Sequence, residues 1–185
     1  MDVYICSEYL TAVMPETESP IDTYIPTGAG GRIELYLRSL APAPGNSIQN
    51  DSLDALRQLE ESDRLDSVRA RVWGDSICTK TPEISGLTDM LETITRIYSF
   101  SAENDPTVTP FFSIRRVDSS LADESFERIV PPQRTLLTYQ DGSLIGVFPC
   151  LIDNRNHTPV DAIERLETLS DISISQTAET TSPRN

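Results

Sequence analysis

Lysine is nearly absent from this chain of 185 residues: Lys80 is the single lysine, and the other 14 basic residues are arginines. Acidic residues number 29, which gives a formal net charge of −14. At molar salt the Debye length falls to about 3 Å, so carboxylates repel one another little and keep a protein hydrated. The composition therefore predicts a halophilic protein that stays soluble in a salt-loaded cytoplasm.

Long hydrophobic runs are also missing. No apolar stretch approaches the ~18 residues that indicate a transmembrane helix. The N-terminus has neither the basic region nor the apolar core of a secretory signal. We therefore expect a cytoplasmic protein with no membrane partner. Hydrophobic residues make up 38% of the chain, which is enough for a buried core.

Cysteine and histidine are scarce. The three cysteines, Cys6, Cys78 and Cys150, show no Cys-x-x-Cys spacing, and His157 is the only histidine. A disulfide scaffold and a zinc site with three or four such ligands are therefore excluded. Cys150 and His157 resemble a nucleophile with its base. However, Cys150 ends an apolar strand, so we expect it to be a small buried hydrophobic residue.

Catalytic motifs are absent as well. The sequence contains no Gly-x-Ser-x-Gly, His-Glu-x-x-His or Walker pattern. The glycines at 28–31 precede a predicted strand, whereas a phosphate loop follows one. The acidic residues Asp118, Asp123, Glu124 and Glu127 are scattered, and metal binding would need ligands from other segments. We therefore expect no enzyme activity, no metal and no cofactor.

Composition divides the chain into three parts. Residues 1–31 end in a stretch rich in Pro, Thr and Gly, which predicts a flexible leader. Residues 170–185 are rich in Ser, Thr and acid, which predicts a disordered tail. Residues 32–169 have the length and hydrophobic patterning of one domain.

Hydrophobic periodicity within residues 32–169 switches between two and 3.6. Strands are predicted at 32–40, 68–73, 111–117, 134–140 and 143–152, and helices at 51–62, 85–100 and 158–168. The order β-α-β-α-β-β-β-α predicts an α/β or α+β sandwich: a mixed sheet of about five strands with three helices, in a ferredoxin-like or related layout. Asp141-Gly142 is the strongest hairpin signal, and Thr158-Pro159 is typical of a helix start.

Arginines and aromatic residues alternate on the predicted strands, on the faces opposite the predicted core residues. If these strands are neighbours, the side chains form an arginine–aromatic face that can stack bases and contact phosphates, so DNA is a possible partner. Cross-strand ion pairing with Glu34 and helix carboxylates is the alternative. The candidate binding residues are Tyr36, Arg38, Arg69, Arg71, Trp73, Arg115 and Arg116.

Residues 51–72 allow two interpretations. A helix followed by an arginine-flanked strand is typical of the recognition helix and wing of a winged helix-turn-helix, and also of a plain βαβ crossover. The helix offers Arg57 and Gln58 to base edges, but Glu60 and Glu61 would repel phosphates. Both interpretations stay open at the level of the sequence.

Four blocks resemble, in order, a haloarchaeal family of helix-turn-helix domain proteins. They are RIELYLRSLAP at 32–42, VWGDSIC at 72–78, PFFSIRRV at 110–117 and YQDGSLIGVFPC at 139–150. The resemblance covers residues 32–169 and implies a DNA-binding or transcription-associated regulator of a halophilic archaeon, without assigning binding residues. A small module that binds a protein partner or senses a ligand is the alternative.

Overall fold

A computed structural model describes residues 19–39, 47–79, 85–119 and 124–179. Within these ranges the chain forms three helices and nine strands, so the predicted α+β class with three helices is confirmed. The helices are α1 (Ser47–Glu61), α2 (Ser85–Glu103) and α3 (Pro159–Glu179). The strands are β1 (Gly31–Leu37), β2 (Ser67–Val72), β3 (Ile77–Cys78), β4 (Ser113–Ser119), β5 (Glu124–Val130), β6 (Arg134–Gln140), β7 (Ser143–Phe148), β8 (Cys150–Ile152) and β9 (Arg155–His157).

The strands divide among three sheets. The main sheet has the order β2-β1-β6-β7, with β1 and β2 parallel and the other pairs antiparallel, so it is mixed as predicted. A second sheet, β3-β5-β4, is antiparallel, and β8 and β9 form a separate pair. The ferredoxin-like layout is not confirmed, because β3 and β4 pair with β5 and do not join the main sheet.

Strand β1 is buried on both faces. Ile33, Leu35 and Leu37 are fully buried on one face, and Glu34 and Tyr36 are buried on the other. Helix α2 covers the second face, where Oγ1 of Thr93 lies 3.4 Å from Oη of Tyr36. Helices α1 and α3 contact each other and the main sheet on the opposite side. The alternation of residues along this strand is typical of a half-buried strand, but β1 has no exposed face, because helices cover both faces of the sheet.

Helix α1 connects β1 to its parallel neighbour β2. Of the two interpretations of residues 51–72, the structure therefore shows the βαβ crossover. It begins at Ser47, a few residues before the predicted start, and buries Leu56 and Leu59 against the sheet. In the described ranges, strands separate each helix from the next. This part of the chain therefore contains no pair of helices joined by a short turn.

The N-terminal part of the folded body begins earlier than expected. Ile21 and Ile25 are buried, and a short 3₁₀ turn, Asp22–Tyr24, leads toward β1. Residues 19–31 are therefore part of the fold and not part of a flexible leader, because their apolar side chains find places in the core. Residues 1–18 lie outside the described ranges. At the other end, α3 continues to Glu179, so most of the predicted disordered tail is helical here.

The hairpin of β6 and β7 is confirmed. Asp141 and Gly142 both have positive φ, 51° and 83°, as a two-residue type I′ turn requires. The start of α3 is also confirmed: the backbone N–H of Asp161 donates to Oγ1 of Thr158, and Pro159 is the first helical residue. Strands β5 and β9 were not predicted, because their polar residues hide the alternation.

Candidate nucleic-acid interface

Tyr36 and Trp73 do not form an exposed surface. They are 4% and 2% exposed, and their ring centroids lie 4.8 Å apart. Trp73 also meets Phe112 edge to face, with centroids 5.9 Å apart. Phe112 directly precedes β4, so this aromatic cluster joins the main sheet to the second sheet. A ring buried in this way cannot stack on a base. The prediction that Tyr36 and Trp73 belong to an exposed binding face is therefore wrong.

A buried carboxylate explains why Tyr36 points inward. Glu34 is 6% exposed, and its Oε2 accepts hydrogen bonds from Oη of Tyr36 at 3.2 Å and of Tyr139 at 3.3 Å. Arg96 of α2 donates to Oη of Tyr139 at 3.2 Å. The guanidinium of Arg32 lies 4.2 Å from the centre of the Tyr139 ring. A buried charge is costly unless it is paired and hydrogen-bonded, so these contacts stabilise the fold by satisfying the buried carboxylate of Glu34.

Burial raises the pKa of both tyrosines that hold this carboxylate above their ordinary value. The negative charge of Glu34 adds to the rise at Tyr139, whereas the positive charge of Arg96 opposes it. Both hydroxyls therefore remain protonated donors at neutral pH. The alternative of cross-strand ion pairing with Glu34 does not hold, because Glu34 is buried between tyrosines of β1 and β6.

Arg38 holds two loops together. Its Nη2 donates to the carbonyl of Pro131 at 3.0 Å, and its Nε lies 3.5 Å from Oδ1 of Asp75. The backbone N–H of Arg38 also donates to the carbonyl of Gln133 at 2.9 Å. These contacts leave only a third of the Arg38 side chain exposed.

Arg69 and Arg71 are exposed on β2, which forms one edge of the main sheet. They stand opposite Glu34 and Tyr36 in the parallel register, so all four side chains lie on the same face of the main sheet. Helix α2 covers this face at β1, whereas Arg69 and Arg71 on the edge strand stay exposed. In the described part of the chain, no carboxylate lies within 4 Å of either guanidinium. We call these two residues the β2 arginine pair.

Arg115 and Arg116 are exposed on β4, in the second sheet. Arg115 stands opposite Arg128 of β5, which concentrates positive charge on one face of the hairpin. Arg116 lies on the other face, where it donates to Oγ of Ser125 at 2.8 Å and lies 3.6 Å from Oδ1 of Asp118. We call the two strands β4 and β5 the arginine hairpin. The predicted continuous face is therefore split between two sheets.

Cys150 and His157 are opposite each other in the β8–β9 pair. Cys150 is 1% exposed, and burial raises the pKa of its thiol to about 12. At neutral pH the thiol is therefore protonated, and a protonated thiol is a poor nucleophile. The arrangement agrees with the expectation of a small buried hydrophobic residue.

The scattered acidic residues lie along the arginine hairpin, with Glu127 opposite Arg116, and Asp123 falls outside the described ranges. No group of three or more potential metal ligands occurs among the described residues. Of the helices described, none is both long and apolar enough to cross a membrane.

The described residues define an α+β protein in which the exposed arginines of the predicted face lie on two separate strands, β2 and β4. A family model described as "Helix-turn-helix domain" matches residues 27–171, and the chain belongs to this family. Membership indicates a DNA-binding role in general terms. Searches of curated proteins and of solved structures found no match.

Proposed function

We propose that this protein is a non-enzymatic, DNA-binding regulator of transcription in a halophilic archaeon. The observation that carries the proposal is the match of residues 27–171 to the helix-turn-helix domain family. The acidic, lysine-poor composition supports the halophilic setting, because such surfaces keep proteins hydrated at molar salt.

The exposed arginines are the groups that we propose to contact DNA. The β2 arginine pair and Arg115 have guanidinium groups with no carboxylate within 4 Å among the described residues, so they are available to phosphates. Beyond the two residues of β5 that pair with β3, the arginine hairpin is a two-stranded antiparallel ribbon, a shape that the major groove admits. Tyr36 and Trp73 act in the core and take no part in binding.

High salt limits how much phosphate contacts can contribute. Each neutralised phosphate lowers the logarithm of the binding constant by about 0.9 per tenfold rise in salt. A DNA-binding protein in molar salt therefore relies on a few well-directed contacts and on base recognition. Arginines fixed on strands, with their planar forks, suit this requirement better than flexible lysines.

Two double variants test the proposal: Arg69→Gln with Arg71→Gln, and Arg115→Gln with Arg116→Gln. Binding to labelled genomic fragments is measured by fluorescence anisotropy at KCl concentrations from about 0.2 to 2 M. We expect at least one variant to weaken binding about tenfold or more and to reduce the salt slope by about 1–2. Substituting Arg57 and Arg155, which are also exposed, removes the same charge as a control.

Equal weakening by the control and by both test variants would mean that only net charge matters, and it would contradict the assigned surfaces. The absence of binding to any fragment, by a protein with native circular dichroism at every KCl concentration, would overturn the proposal itself.

A further inference from the structure

A cleft of about 290 Å³ opens between β2 and α2. It lies at the carboxyl ends of the two parallel strands, because Tyr36 and Arg71 are opposite each other one residue before β1 and β2 end. In α/β sheets, ligands bind outside the carboxyl ends of parallel strands. Its lining among the described residues is Tyr36, Arg71, Val72, Asp89, Met90 and Thr93.

The two charged residues of the cleft have opposite signs and come from different elements. Arg71 belongs to β2 and Asp89 to α2, and both are exposed. Within the described ranges, no oppositely charged group lies within 4 Å of either side chain, so they do not pair with each other. The cleft thus holds one cation and one anion that a ligand can reach.

The remaining lining residues are apolar or bear hydroxyl groups. Met90 supplies an apolar side chain beside the charged groups, and Val72 lines the cleft by its position at the end of β2. The hydroxyls of Tyr36 and Thr93 lie 3.4 Å apart and are buried at the floor. Arg71 stands opposite Tyr36 in the strand register, so its side chain lies on the same face of the sheet and lines the cleft.

We propose that this cleft binds a small zwitterion of the free amino-acid type with a short apolar side chain. Arg71 would hold the carboxylate with its planar fork, Asp89 would accept hydrogen bonds from the ammonium group, and Met90 would contact the side chain. The volume lies at the small end of ligand pockets, which suits a molecule of this size. The proposal does not require DNA binding, but it shares Arg71 with the β2 arginine pair, so DNA and the zwitterion would compete for that residue.

Isothermal titration calorimetry of the full chain with L-leucine tests the proposal. Two analogues each lack one charge: 3-methylbutylamine has no carboxylate, and 4-methylpentanoate has no ammonium group. We expect L-leucine to bind at least about tenfold more tightly than either analogue, because each analogue leaves one charged side chain without its partner. L-Valine should behave as L-leucine does.

Two variants assign the contacts. Arg71→Gln should weaken L-leucine about tenfold and leave 3-methylbutylamine unchanged. Asp89→Asn should weaken L-leucine similarly and leave 4-methylpentanoate unchanged. Arg57→Gln, which changes an exposed arginine on α1, serves as the control and should bind L-leucine normally.

Both test residues are exposed, so their variants should keep native circular dichroism. No binding of L-leucine and L-valine at millimolar concentration, or binding that neither substitution changes, would overturn the zwitterion site. Because no DNA is present in the experiment, such a failure leaves the proposed DNA-binding function untouched.

Discussion

Asp22 and Arg165 connect the N-terminal segment to α3 through two short hydrogen bonds. Nε of Arg165 donates to Oδ1 at 2.6 Å, and Nη2 donates to Oδ2 at 2.7 Å. Both side chains are largely covered, at 24% and 19% exposed. The hydrogen bond from Arg165 lowers the pKa of Asp22 below 3.8, and burial opposes it. This geometry makes the pair stronger than an ordinary surface ion pair.

Asp22→Asn should lower the free energy of unfolding by about 1–2 kcal/mol at pH 7 and low salt. Because the folded pKa of Asp22 is depressed, its contribution is present above the unfolded pKa near 4 and is lost as pH falls through the folded value. The difference between the variant and the wild type should therefore shrink as the pH falls below the pKa of an ordinary aspartate. Urea denaturation at a series of pH values measures it.

Asp54→Asn is the matched control, because Asp54 pairs with Arg57 at 3.3 Å on the exposed surface of α1. This substitution should change stability by no more than about 0.5 kcal/mol. An equal effect of the two substitutions would contradict the special role of the Asp22–Arg165 pair.

The two tyrosines that hydrogen-bond Glu34 should lose their protons at a higher pH than an exposed tyrosine does. Burial raises the pKa of Tyr36 and Tyr139 above 10, and the charge of Glu34 raises both further. Their contribution to stability is complete below the unfolded pKa near 10 and is lost as pH rises through the folded values. The melting temperature should therefore fall as pH rises above about 10.

Glu34→Gln removes the charge, so Tyr139 should titrate at a lower pH than in the wild type, but still above 10 because it remains buried. Titration of ¹³C-labelled tyrosine followed by NMR measures the shift. Glu164→Gln, on the exposed surface of α3, should leave the titration of Tyr139 unchanged. An unaltered titration in Glu34→Gln would show that the carboxylate has no electrostatic effect on Tyr139.

At the scale of elements, the N-terminal segment packs closely on the β6–β7 hairpin. Oγ1 of Thr138 donates to the carbonyl of Tyr24 at 2.6 Å. A methyl group at Gly146 would overlap that same carbonyl oxygen and would lie 2.5 Å from Oγ1 of Thr138. The backbone of residues 19–30 can approach β7 only because this position lacks a side chain.

Gly146→Ala should destabilise the protein by about 2–3 kcal/mol, because the backbone of Tyr24 must move. Gly142→Ala is the comparison: its φ is 83°, but a methyl group there meets no atom within 4 Å. Its cost should be about 1 kcal/mol. Guanidinium denaturation measures both, and limited proteolysis should show faster cleavage within residues 19–30 in Gly146→Ala alone. Equal costs would contradict this account.

Local signals identified most of the elements correctly. The hydrophobic periodicity of residues 85–100, which include the buried Ile94 and Ile97, predicted α2, and Asp141-Gly142 predicted the hairpin, because helix periodicity and turn chemistry are encoded within a few residues. Strand β5 was not predicted, because Glu124–Val130 carries charged residues on both faces and so lacks the alternation of apolar and polar residues that indicates a strand. The early start of the fold at residues 19–31 depends on tertiary packing, which no local pattern reveals.

The candidate site was harder to predict than the elements. Alternation placed Tyr36 and the β2 arginine pair on the same face correctly, but it could not show that α2 covers the inner half of that face. Likewise, the distance between β2 and β4 depends on strand pairing between remote segments. Sequence patterns give the faces of single strands, and only the pairing decides which faces meet.

At the scale of the whole molecule, the net charge of −14 should make stability depend on salt. Raising KCl from about 0.1 to 2 M should increase the melting temperature by about 5 °C or more, since screening reduces repulsion among carboxylates in the folded state. Differential scanning calorimetry measures the change.

The pH provides the control for this effect. Near pH 4.5, close to the isoelectric point of about 4.3, much of the negative charge is neutralised. The stabilisation by KCl should be much smaller there if it arises from charge screening. A salt effect of the same size at both pH values would instead indicate a general preference of the salt for compact states.

The packing of Trp73 makes it an internal optical reporter. It is the only tryptophan of the chain, so its indole accounts for all tryptophan emission. Its neighbours are Tyr36, which forms the floor of the cleft beside α2, and Phe112, which leads into the arginine hairpin. One fluorescence band therefore responds to events on either side: a change in emission when the ring of Tyr36 moves against the indole, and a red shift when the two sheets separate and water reaches Trp73.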